Sequence, residues 1–113
     1  MNGTEGHLVV LDTPEGERSF VCNEDEFIWN AAAHNGIVLP AICHQGRCLT
    51  CACRIVSGLV DQTSSNSFFP QDKKAGFALI CTGKPRSDLR LCTHQQAKMR
   101  EHRSRAGLPS PYA

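Results

Sequence analysis

The sequence has no apolar run approaching the ~20 residues that cross a bilayer, so no membrane-spanning helix is expected. It also lacks an excess of charge of one sign. Twelve Lys and Arg stand against eleven Asp and Glu, a formal +1, so no whole-chain field draws it to nucleic acid. The opening MNGTEGHLVVLD has neither the basic start nor the apolar stretch of a secretory signal. No G-x-G-x-x-G follows a strand pattern, which argues against a nucleotide- or flavin-binding unit. There is no internal repeat. A chain of 113 residues supports one domain with its own core.

Cysteine, by contrast, is plentiful. Seven occur in the chain, and four of them fall within CHQGRCLTCAC, Cys43 to Cys53. An odd number without a secretory signal points to reducing surroundings, where clustered thiols bind metal more often than they pair. The expected setting is therefore cytoplasmic, or the chloroplast stroma if the chain is a processed form.

The pattern around the cysteines is mixed α+β. His7 to Thr13 reads as a strand, Pro14, Glu15 and Gly16 as a turn, and Arg18 to Asn23 as the returning strand. Asn23 and Glu26 resemble a capping box, followed by Phe27, Ile28, Ala31 and Ala32 at helical spacing and a stop at Gly36. Ile37 to Pro40 leads into the cysteine loop. Alternation returns from Ala52 to Val60, so the last cysteines of the loop are delivered onto a strand. Gln62 to Gln71 is a turn-rich connection, with a short helix over Gln71 to Ala75. Phe77 to Cys81 and Leu89 to Cys92 are the final strands. These elements predict a mixed sheet of four to five strands packed on one main helix, with a long loop near the surface.

Cys43, Cys48, Cys51 and Cys81 read C-x4-C-x2-C-x29-C. Two bridged irons need four thiolates converging from more than one direction. A loop with short gaps can supply one side and a distant strand end the other. Small residues such as Gly46 allow backbone amides to approach the sulfurs. A structural zinc is the alternative, although zinc ribbons usually show two C-x2-C knuckles and only one is present. Two disulfides among the same cysteines are a further alternative, disfavoured by the odd count.

This spacing is similar to that of plant-type [2Fe–2S] ferredoxins. From about His7 to His94 the chain resembles that family, whose fold is the β-grasp. NAAAHNGIVLP matches the family's helix and its approach to the cluster, and CHQGRCLTCA the cluster loop. RIVSGLVDQ matches the next strand and turn, and KKAGFALICTGKPRSDLRLCTH the segment with the fourth ligand. The resemblance implies one [2Fe–2S] cluster, with Cys43 and Cys48 on one iron and Cys51 and Cys81 on the other. It also implies a soluble, monomeric one-electron carrier of low potential with no catalytic residues. Residues 1–94 would form the ferredoxin domain and 95–113 a basic extension.

Departures from the family concern partners and potential. After the first cysteine relatives carry Arg-Ala-Gly-Ala or a close variant, and Ser after the second. Here His44, Gln45, Gly46 and Arg47 are followed by Leu49, while Thr50 still offers a hydroxyl. Cys53 stands where relatives have Gly or another small residue. It is a filler beside the cluster or, on a sharper reading, a substitute ligand or redox-sensitive thiol. That reading makes the chain a cluster-based sensor. Cys22 and Cys92 read as small hydrophobes.

Photosynthetic relatives dock to photosystem I and ferredoxin–NADP reductase through acidic residues and an aromatic after the VDQ turn. This chain has SSNSFFPQDKK there, with Ser67 at the usual aromatic place and Phe68 and Phe69 just beyond. Gln95 and Gln96 replace acidic residues near the end. Service to the usual reductase is therefore in doubt, and a specialised reductase or an acceptor such as an oxygenase, cyclase or desaturase is expected. Phe68, Phe69, Gln96, Lys98 and Arg100 are the candidate docking residues. The extension, with Lys98, Arg100, Arg103 and Arg105 against Glu101, is expected to be solvated. Its alternatives are docking to an acidic partner or a short helix from about Gln95 to Arg103 that covers the sheet.

Overall fold

Alternating apolar side chains build the first hairpin. In β1 (Gly6–Thr13) Val9 and Leu11 point into the core, and in β2 (Gly16–Asn23) Phe20 and Cys22 do, while Val21 faces outward. Gly16 at φ +121° closes the turn between them. The computed structural model describes residues 6–39, 49–65 and 68–108. Around the hairpin lie β3 (Ala52–Ser57), β4 (Val60–Asp61), β5 (Phe77–Leu79), β6 (Lys84–Pro85) and β7 (Leu89–Cys92), with α1 (Ile28–His34), α2 (Pro70–Lys74) and α3 (Gln96–Ala106).

The main sheet has five strands in the order β2-β1-β7-β3-β5, and β4 and β6 form a separate pair. β1 and β7 run parallel and the other pairs antiparallel, which is the mixed β-grasp arrangement. Ile28, Ala31 and Ala32 of α1 are buried, as the helical spacing of those residues predicts. Among the described residues no helix is long and apolar enough to cross a membrane.

Several expected boundaries move. Helix α1 starts at Ile28, not after Asn23, and Phe27 stands at its N-cap. Glu26 still reaches back to the Asn23 amide at 3.4 Å, but it closes a turn instead of a helix. The first helical amides are satisfied from outside: Ile28 N–H donates to the Gly83 carbonyl and Trp29 N–H to that of Ile80. The strand expected over Ala52 to Val60 breaks at Gly58, whose φ of +99° no strand residue adopts. The last strand before Cys81 ends at Leu79, leaving Cys81 in a turn.

In the extension the short-helix alternative, not the solvated segment, describes residues 96–106: they form α3, the longest helix described, with Met99 and Arg103 fully buried. Gln95 N–H ties its start to the Ala52 carbonyl at 3.0 Å. Asp72 of α2, also fully buried, receives Arg103 Nε at 3.0 Å and Nη2 at 2.9 Å. His102 Nε2 lies 3.0 Å from the same carboxylate, and the Phe69 amide donates to it at 2.9 Å.

Cys22 illustrates how burial controls the spare thiols. Desolvation, assisted by the negative charges of Glu26 and Asp25, pushes it up to about 12 from 9.0. The raised value favours the neutral thiol, so its contribution is complete below pH 9 and is lost as pH rises towards 12. Guanidinium midpoints should therefore fall between pH 9 and 11. The fall should be shallower in Cys22→Val, by at most one proton per molecule. Equal slopes in both proteins would count against the assignment.

Candidate metal centre

Cys51 immediately precedes β3, and Cys81 lies two residues beyond β5. Those strands pair antiparallel with Ala52 opposite Leu79, so both thiols leave the same end of the sheet. Their Sγ atoms lie 2.9 Å apart, and both residues are buried. No disulfide joins them, since that bond would hold the sulfurs at ~2.05 Å. With metal–sulfur bonds of about 2.3 Å a tetrahedral centre holds two thiolates about 3.8 Å apart, so this pair would open by slightly under ~1 Å to share one metal ion. The hydrogen bond with Cys81, then burial, holds the Cys51 thiol far above its usual range, so metal loading must expel a proton.

The other predicted ligands, Cys43 and Cys48, lie outside the described residues, as do His44, Gln45, Gly46 and Arg47. Among the described residues no three His, Cys, Asp or Glu side chains converge on one point. Thr50 supplies a further observation. Its Oγ1 is buried and has no hydrogen-bond partner among the described residues. An orphaned hydroxyl next to Cys51 fits a donor to a cluster or thiolate sulfur. Leu49, at the family's Ser position, is fully buried in the core, which accounts for an apolar residue there.

Two supports for this end of the sheet were not foreseen in the sequence. The Gln62 side chain accepts from the Leu79 amide at 2.6 Å and donates to the Leu79 carbonyl at 3.1 Å. It thereby completes the outer hydrogen bonds of edge strand β5, two residues before Cys81. Gln62 also donates to Ser65 Oγ at 2.8 Å, and Ser65 bonds the Thr82 hydroxyl at 2.7 Å. The second support is Trp29. Its indole N–H donates to the Leu39 carbonyl at 2.9 Å, while its backbone N–H holds Ile80. One residue thus links the entry to the cysteine loop with the approach to Cys81. The VDQ turn and the apolar spacing of α1 mark both positions in sequence, but neither shows what the side chain bonds.

Gln62→Leu leaves the Leu79 N–H unpaired and its carbonyl with only the Thr82 amide at 3.3 Å, at a cost of about 1–3 kcal/mol. Cluster loss on dilution into chelator should be faster in that variant, with α3 still folded by circular dichroism. An unaltered loss rate would remove Gln62 from the account.

The remaining candidates are dispersed. Cys53 is 1% exposed, its thiol facing the Cys51 carbonyl at 3.8 Å, and burial raises its pKa. Cys92 is half-buried and receives Gln95 Nε2 at 3.4 Å. Phe68 is half-buried against the core, and the Phe69 ring lies under the Arg103 guanidinium at 4.9 Å. Gln96 is half-buried at the start of α3, where Lys98 and Arg100 are exposed.

Residues 12–86 match the family model of the 2Fe-2S iron-sulfur cluster binding domain. Ferredoxin-2 of Synechococcus sp. is 39% identical over 82 residues, covering 73% of this chain and 78% of the relative. Heterocyst ferredoxin of Microchaete diplosiphon is 42% identical over 74 residues, covering 66% and 75%. Ferredoxin-6, chloroplastic, of Zea mays is 39% identical over 92 residues, covering 80% and 59%. Among solved structures, pectocin M2 superposes with a TM-score of 0.75 at 29% identity, over 83% of this chain and 35% of that one. The ferredoxin reductase of carbazole 1,9a-dioxygenase gives a TM-score of 0.62 at 27% identity, over 80% and 29%. The chain thus spans about a third of the length of these two solved proteins. The family match, the relatives and the paired thiols lead to one conclusion: this chain belongs to the plant-type [2Fe–2S] ferredoxins, electron carriers rather than enzymes, and binds one [2Fe–2S] cluster.

Proposed function

We propose that the chain carries single electrons between a reductase or photosystem and a specialised acceptor such as an oxygenase or desaturase, through a cluster held by Cys43, Cys48, Cys51 and Cys81. The observation that carries the ligand assignment is the 2.9 Å approach of two buried thiols from separate strands at one end of the sheet. When bound, the cluster supplies a one-electron couple in the plant-type range near −400 mV. The protein's part is to place the thiolates, exclude water and donate hydrogen bonds to sulfur. Gln62 and Trp29 hold the two chain segments that must not separate when charge is added. Thr50 donates to a sulfur and stabilises the more negative, reduced form.

A Thr50→Val variant should accordingly have a potential some tens of millivolts more negative, from loss of one hydrogen bond worth about 1 kcal/mol. Protein-film voltammetry reads this directly, and an unchanged or raised potential would contradict the role. The specialised partner is supported by the residues at the docking positions. Gln96 and Lys98 offer no acidic patch to the basic surface of the usual reductase. A redox-sensor role for Cys53 gains no support from a thiol that is 1% exposed.

A further inference from the structure

The near-neutral chain is strongly polarised. Residues 1–39 contain seven Asp and Glu against one basic residue, whereas residues 40–113 contain four against eleven. Among the described residues the two halves meet in the middle of the sheet, where β1 pairs with β7, and only their outer edges lie apart. β2, in the acidic half, forms one edge of the main sheet, and β5 forms the other, next to α2 and α3. Four cations of the basic half meet carboxylates: Arg86 with Asp61, Arg90 with Asp12 and Glu17, Arg103 with Asp72 and Arg105 with Glu101. Arg54, Lys73, Lys74, Lys98 and Arg100 are exposed and have no carboxylate partner among the described residues.

Part of this surface is concave. A cleft of about 590 Å³ opens between β3, β5 and α3, lined by Arg54, Phe77, Lys98, His102 and Arg105 with Glu101. The Arg54 guanidinium lies 4.9 Å from the centre of the Phe77 ring, which also packs on His102 at 5.4 Å. Phe77 and the buried Asp72–Arg103 pair therefore fix the cleft walls before any ligand arrives. Glu101 is the single carboxylate in the lining and is already bonded to Arg105 at 2.6 Å. The cleft is also near the redox end of the molecule. Arg54 is three residues past Cys51, and α3 begins where Gln95 bonds Ala52, the residue after Cys51.

We propose that the β3–β5–α3 cleft docks an acidic segment on the surface of a protein redox partner. The proposal rests on the electron-carrier reading for the kind of partner, but not for the surface itself. Preformed cations without counter-charges lose little on meeting carboxylates, and the dipole across the sheet turns this edge towards an acidic surface during encounter. The polarity is thus opposite to that of ferredoxins that present acidic patches to basic reductases.

The test uses cluster-loaded full-length protein and a short poly-L-glutamate peptide as probe, with binding followed by anisotropy and amide chemical shifts. Binding should be measurable in 20 mM salt and fall at least tenfold by 200 mM, as screening predicts. Shifts should concentrate at Arg54, Phe77 and residues 98–106. Lys98→Glu should weaken binding about fivefold, while Arg18→Glu on the acidic half, with the same change in net charge, should alter it less than twofold. Equal losses in the two variants, or shifts elsewhere, would overturn the proposal. So would tighter binding of a DNA oligonucleotide with the same sensitivity to Lys98→Glu, or concentration-dependent self-association that accounts for the salt effect. Reversible reduction of the same samples, read by visible absorption, tests the carrier reading separately. A protein that reduces normally yet ignores the peptide refutes only the docking surface.

Discussion

Replacing Arg103 with Met should destabilise the protein by about 3–5 kcal/mol, because it leaves the Asp72 carboxylate buried without its cation. Asp72 and Arg103 are each fully buried, and two hydrogen bonds of 3.0 and 2.9 Å join them. After the substitution the carboxylate keeps the Phe69 amide and His102, which cannot replace a bidentate guanidinium. The Arg103 stem and its stacking over Phe69 are lost as well. A fall in Tm on the order of 10 to 20 °C follows. The double variant Asp72→Asn with Arg103→Met should be less damaging than the single one, since no buried charge is then stranded. The Asn side chain can still accept from the Phe69 amide. Additive losses would mean that packing, not the ion pair, fixes α3.

The second large effect concerns Cys81. Cys81→Ser removes one of the two thiols that meet at 2.9 Å, and the hydroxyl that replaces it is a poorer ligand for iron. Loss of a mere supporting contact around a metal typically costs 10–100-fold in affinity, so removing a ligand should reduce cluster content at least tenfold. Cys53→Ser is the informative control. It lies in the same strand region and is buried, but its thiol faces the Cys51 carbonyl. It should retain the cluster at near-normal content. Retention in Cys81→Ser combined with loss in Cys53→Ser would exchange their roles.

How far the sequence disclosed these features depended on how local each interaction is. The loop spacing Cys43, Cys48 and Cys51 is local and the strand-like run before Cys81 is recognisable, so the resemblance could propose a ligand set, of which the described residues bring Cys51 and Cys81 together. The sheet was legible for the same reason, because Val9, Leu11, Phe20 and Cys22 alternate visibly. The start of α1 was misplaced because a capping pattern at Asn23 and Glu26 was met by tertiary hydrogen bonds from Gly83 and Ile80. Propensity has no means of registering partners 50 or more residues away. The same holds for α3. Its residues look like a solvated basic segment until Asp72, 31 positions earlier, is placed against Arg103. Gln62 reads as an ordinary turn residue, yet it bonds both backbone groups of Leu79 across 17 positions.

We propose that four thiolates hold one cluster that exchanges a single electron. Iron, zinc and acid-labile sulfide analysis, coupled to a dithionite titration followed by visible absorption, tests it most directly. The expected result is two irons and two sulfides per chain, no zinc, and reversible bleaching complete at one electron. One zinc without sulfide, or an iron–sulfide protein that accepts no electron reversibly, would contradict it.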